Sequence, residues 1–147
     1  MPDLGSFRRR VRQAGAELKG ELKAANIEVS EIIVEGAKAK ASGQGKQANR
    51  AASTLKAGKS ASDAYVNFGT KRKPYALGSE FGSKRDHPRE LESGRTMRGW
   101  NQFRSWRGNK EGAGYFLWPT IRQEKTKITE TYLAAIDRIV GIMARED

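Results

Sequence analysis

No cysteine occurs among the 147 residues. This excludes a disulfide framework, thiolate metal sites and a thiol nucleophile, and suits a reducing compartment. The single histidine, His87, excludes a multi-histidine metal site or a pair of histidines. No apolar run approaches the roughly 18 residues of a membrane span, and the opening MPDLGSFRRRVRQ lacks the apolar segment of a secretory signal. The expectation is a soluble protein made in the cytoplasm, with no membrane partner. Large apolar residues are also scarce: Leu, Ile, Val and Phe together make 26 of 147. That is under the roughly 20% below which a highly charged chain tends not to fold alone. Three Trp, four Tyr and clear periodic segments nevertheless argue against wholesale disorder. A chain completed by copies of itself or by a partner satisfies both observations.

What the chain has in excess is positive charge. Its 28 Lys and Arg outnumber 17 Asp and Glu, giving +11, an isoelectric point near 10.1 and a mean hydropathy of -0.75. Such a field attracts phosphate and carboxylate surfaces. The excess is local: residues 51–113 hold 13 basic and 6 acidic groups, whereas residues 114–147 hold 5 of each. The basic surface therefore belongs to the turn TKRK and the connection that follows it.

At this length one folded unit is expected, of α+β class. Phe7, Val11, Ala14, Leu18, Leu22, Ala25, Val29 and Ile32 recur in steps of three and four, which predicts a helical region over 6–41. A kink or second helix near 26–30 is open, with Ser30 and Glu31 available as caps. Gly43 and Gly45 end the pattern. Over 52–82, STLKAGK and DAYVNFG read as a small antiparallel hairpin, and YALGSEFG as one helical turn closing on Gly82. Residues 83–113 form a long, basic, Gly-containing arm, longer than compact domains tolerate without a job. GYFLWPTI, 114–121, is the most apolar run. It reads as a buried strand or extended arm entering a long C-terminal helix to 146, with Pro119 as the first helical residue.

Catalytic and cofactor motifs are weak. KAGKS, 56–60, mimics the end of a phosphate-binding loop, but Ser53 stands where that loop needs glycine and no apolar strand precedes it. His87 with Asp86 and Glu90 reads as a charged surface turn. No paired carboxylates or Ser/His/Asp arrangement stand out, so neither an enzyme nor a cofactor is expected. RGWNQFRSWRGNK is different: Trp100, Phe103 and Trp106 lie at steps of three with Arg98, Arg104 and Arg107 interleaved. Three readings apply: docking on another subunit, packing within the chain, or stacking on bases with phosphate neutralisation.

Taken in order, the hairpin ending AYVNFG, then YALGSEFGS, then YFLWPTI before a closing helix resembles the tail-completion or head–tail connector (neck) proteins of long-tailed bacteriophages. The matching positions are Tyr75, Ala76, Glu80, Phe81 and Gly82 in the first motif, and Phe116, Leu117 and Pro119 in the second. Ser83, Tyr115 and Thr120 depart from the family's Thr, Pro and Ala. The resemblance implies a non-catalytic virion component, assembled in the host cytoplasm. It would form a homo-oligomeric ring, commonly a hexamer, between capsid connector and tail-tube proteins, with genomic DNA passing through its channel. Subunit contacts are then expected at Tyr75, Glu80, Phe81, Trp100, Phe103 and Trp106. Phe116, Leu117, Trp118 and Pro119 are expected to anchor the last helix. Channel DNA or an acidic partner would meet Lys71, Arg72, Lys73, Lys84, Arg85, Arg98, Arg104 and Arg107. The alternative is a small basic DNA- or RNA-binding protein.

Overall fold

The computed structural model describes residues 4–84, 89–97, 103–108 and 111–145, with the backbone alone at 4–8, 10, 89 and 97. The architecture is α+β. In order come α1 (Leu4–Ser42), α2 (Lys46–Ala52), β1 (Lys56–Ala57), β2 (Val66–Asn67), α3 (Ala76–Phe81), β3 (Arg89–Glu90), β4 (Thr96–Met97), α4 (Leu117–Gln123) and α5 (Lys125–Ala144). β1 pairs with β2, while β3 pairs antiparallel with β4, Arg89 opposite Met97 and Glu90 opposite Thr96. The chain forms two compact units: Met1–Ile32, Ala57–Val66 and Glu124–Asp147 make the first, Ile33–Lys56 and Asn67–Gln123 the second. No helix among the described residues is long and apolar enough to cross a membrane.

In the first unit α5 runs antiparallel to α1. The Tyr132 hydroxyl donates to Asn26 Oδ1 at 2.8 Å, and Arg138 Nε meets Glu21 Oε2 at 2.7 Å. Asn26 also donates through Nδ2 to the Ser60 carbonyl at 3.2 Å, which ties down the loop between the strands. The buried faces are small: Ala14, Ala25 and Val29 from α1, Thr131, Ala135 and Ile142 from α5. Burial, and then the charge of Asp63, push the Tyr132 phenol above the usual tyrosine range, because both disfavour the phenolate. No break falls at 26–30. The Ser30 hydroxyl donates one turn back to the Asn26 carbonyl at 2.7 Å, so it is used inside a continuous helix instead of capping a new one.

In the second unit, α2 packs on α3, and the interior gathers Val34, Ala37, Ala41, Ala48, Ala51, Ala52, Leu55, Ala76, Phe103 and Phe116. Phe68 meets Phe116 edge-on at 5.8 Å. The Thr54 hydroxyl donates to the Ala51 carbonyl at 2.7 Å and accepts the Gly69 N–H at 2.8 Å, fixing where the chain returns after β2. α3 is the helical turn expected from YALGSEFG, and it ends on Gly82 at φ 77.

Three expectations are corrected, and one element appears that the sequence reading did not assign. The helix α2 occupies KQANRAA, where alanines give helix propensity without large apolar residues to mark a period. The described parts of the arm are not extended: they hold the β3–β4 hairpin, and residues 103–108 lie back along α3. There Ser83 N–H donates to the Arg104 carbonyl at 2.9 Å and Arg107 N–H to the Phe81 carbonyl at 2.6 Å. GYFL is not a strand, since Leu117 already opens α4, which puts Pro119 third in the helix. The long terminal helix is also divided at Glu124, where φ -86 and ψ 7 leave the helical range.

Candidate interaction surface

The second unit is organised around one carboxylate. Glu80 is fully buried and accepts three successive backbone N–H groups: Phe116 and Leu117 at 3.0 Å through Oε2, Trp118 at 2.9 Å through Oε1. Helix N-termini present unpaired N–H groups that favour an anionic acceptor. Here the next residue, Pro119, has no N–H to satisfy, and the first intrahelical bond runs from Thr120 N–H to the Phe116 carbonyl at 3.2 Å. Glu80 from α3 is thus the N-terminal cap of α4. Gly114 makes room for it: its φ is 81, and a Cβ there would collide with the Glu80 carboxylate.

The returning arm and residue 115 build a basic and aromatic cluster on the same unit. The guanidinium groups of Arg104 and Arg107 lie 5.0 and 4.4 Å from the Tyr115 ring centroid, a cation–π arrangement. The Tyr115 hydroxyl donates to the Ser105 carbonyl at 2.7 Å. Arg104 also donates to the Gln44 side chain at 3.1 Å and to its carbonyl at 2.6 Å, while Gln44 Nε2 donates to the Tyr115 carbonyl at 2.7 Å. Trp106 packs on Phe81 at 6.3 Å with the Lys84 ammonium 5.6 Å from its centroid. Arg104, Trp106, Arg107 and Lys84 remain exposed. Beside them a hollow of about 690 Å³ is walled by Pro74, Tyr75, Phe103 and Trp106 and floored by Gly78 and Gly82. The cluster offers fixed cations and half-exposed rings, which suits binding of an anionic or apolar surface. Among the described residues no group of three His, Asp or Glu is placed to hold a metal ion.

Several expected residues meet here. Tyr75, Phe81, Phe103 and Trp106 come together with Lys84, and Arg104 joins Arg107 around Tyr115. Two of the interface assignments are corrected. Glu80 is consumed as a cap, and Phe103 is buried against its own α3, where a Cβ on Gly78 would strike its ring. For Phe103 the intramolecular reading holds. Of the anchoring set, Phe116 is 0% exposed, Leu117 and Pro119 are half-buried, and Trp118 is 45% exposed, so Phe116 is the principal anchor. Lys71 and Arg72 stand exposed in the turn, and Lys73 donates to the Ser53 hydroxyl at 3.1 Å. Arg85, Arg98 and Trp100, together with Asp86 and His87, lie outside the described residues. Sequence reasoning missed Gln44 and Tyr115 as parts of the cluster; the adjacent Gly43 and Gly45 marked a turn but not its partner. No protein-family model, curated protein or solved structure matches the chain.

Proposed function

We propose that the chain is a structural ring subunit of a long-tailed phage particle, a neck or tail-completion protein joining the capsid connector to the tail tube, with no catalytic role. The observation that carries this reading is the bond between its two motif segments. Glu80 of YALGSEFGS caps the helix opened by YFLWPTI through three N–H groups, so the residues behind the resemblance meet in one structural device, which supports the reading. The exposed cluster of Lys84, Arg104, Trp106 and Arg107 supports contact with an acidic neighbour or with DNA in the channel. The subunit is proposed to close into a ring, most simply a hexamer, in which one patch of each copy meets a different patch of the next. Assembly in the host cytoplasm ends in the virion. Mass spectrometry of purified tailed particles from lysates of a host carrying the gene tests this. The chain is expected in the particles in ring stoichiometry relative to the tail tube; its absence from them overturns the reading.

The second reading, a small DNA- or RNA-binding protein, is favoured by the same cluster, where cations surround rings able to stack. Its mark is binding that weakens steeply with salt, by roughly one power of salt concentration per phosphate neutralised. Filter binding of a duplex and of a single strand between low and physiological salt decides it. Tight binding with a steep salt slope supports it, and absence of binding at low ionic strength removes it.

A further inference from the structure

The hollow of about 690 Å³ beside the cluster is built into the second unit. A Cβ on Gly78 would strike the Phe103 ring, and one on Gly82 the carbonyls of Arg104 and Ser105. The two glycines therefore let residues 103–108 close directly onto α3. Backbone bonds from Ser83 to Arg104 and from Arg107 to Phe81 hold the segment there, so Trp106 stands as a wall before any occupant arrives. Its ring is 42% exposed, and covering a ring already in position carries little ordering cost. Tyr75 also borders a second depression, of about 370 Å³, lined by Lys46, Gln47 and Arg50. The two depressions meet at that ring: one is apolar with Lys84 beside it, the other cationic. We propose that together they form a docking groove for an acidic segment of another protein. An apolar side chain of that segment sits between Tyr75 and Trp106, with carboxylates against Lys84 at the Trp106 end and against Lys46 and Arg50 at the Tyr75 end. The inference deepens the ring reading by giving the chemistry of one contact, and rests on it for the neighbour being a component of the particle.

Charge selects this occupant. Among the described residues the one ion pair joins Arg138 to Glu21, so no described carboxylate neutralises Lys46, Arg50 or Lys84, and all three are exposed. A second copy is disfavoured here, because each molecule carries +11 and residues 51–113 hold 13 basic against 6 acidic groups. A nucleic acid would meet the cations, but its bases have hydrogen-bonding edges that lose water against walls of Pro74, Tyr75, Phe103 and Trp106. An apolar side chain has no such edge and gains by leaving water. Tyr and Trp beside a cation are also the side chains that dominate binding at protein contacts.

Fluorescence anisotropy of the full chain with labelled synthetic peptides, in which Asp and Glu surround a central Phe, Leu or Met, tests the groove. Binding is expected at low salt, and should weaken about tenfold or more when the central residue becomes Ser, and again when the acids become Asn and Gln. Trp106→Ala, Lys84→Glu and Arg50→Glu are each expected to weaken it by a similar factor with unchanged helix content, since all three side chains are exposed. Lys127→Glu, an equal change of charge at an exposed position of α5, should leave it nearly unchanged. Equal weakening by Lys127→Glu and Lys84→Glu would reduce the binding to net charge and overturn the groove. Peptides that bind as well with Ser at the centre, or a wild type that binds none of them at low salt, overturn it too. Displacement of the peptide by a single-stranded oligothymidylate, itself bound less well by Trp106→Ala, would assign the hollow to a base instead of an acidic segment. Each of these failures leaves the ring reading standing, because that reading is decided by the presence of the chain in the particles.

Discussion

Replacing Glu80 by Gln keeps the side chain's size but turns one acceptor oxygen into a donor facing backbone N–H groups. Each buried donor left without a partner costs about 1 to 3 kcal/mol, so Glu80→Gln is expected to lower stability by about 2 to 4 kcal/mol, read as a lower urea midpoint at unchanged slope. A mutant of wild-type midpoint would remove Glu80 from its capping role. The two aromatics of the apolar run separate just as sharply. Phe116 is fully buried against Phe68, so Phe116→Ala should cost about 3 to 5 kcal/mol. Trp118→Ala, with the ring half in water, should cost less, about 1 to 2 kcal/mol. Tyr132 gives a pH signature. Its folded-state phenol titrates above the unfolded value of 10.0, so its contribution is complete below pH 10 and declines as pH rises through the folded value. The stability gap between wild type and Tyr132→Phe should therefore stay constant from pH 8 to 10 and narrow above it. A gap that widens with pH would contradict that sign.

At the scale of elements, what sequence could reveal follows the kind of signal each element emits. The periodicity from Phe7 to Ile32 marked α1, and Gly82 marked the end of α3, because a long apolar period and a positive-φ glycine are local properties. α2 and the α4–α5 break escaped: alanines carry no amphipathic signal, and Glu124 is an ordinary helix former that marks no break in sequence. The scarcity of Leu, Ile, Val and Phe has a counterpart in the interior: among the described residues nine of the fifteen buried apolar ones are alanines, so burial is achieved by close approach and not by bulk. That argument predicts the effect of enlarging one. Ala135 is 1% exposed on the α5 face that meets α1, and Ala135→Leu should destabilise by about 1 to 3 kcal/mol through overpacking. Thermal unfolding checks it; an unchanged or higher midpoint would mean that the helices have slack between them.

For the molecule as a whole, the motif residues were legible but their roles were not. Glu80 stood out for its place in GSEFG, yet nothing in sequence tells that a carboxylate will reach 36 residues along the chain to cap a helix. Likewise the steps of three in WNQFRSW suggested one docking face, whereas Phe103 turns inward and Trp106 stays half outside. The exposed cluster of Lys84, Arg104, Trp106 and Arg107 is the surface that the proposed ring reading assigns to a neighbouring molecule. Native mass spectrometry of the full chain across a concentration series tests that claim most directly. The account predicts a closed species of fixed copy number that grows at the expense of monomer; a monomer alone throughout the series would contradict it.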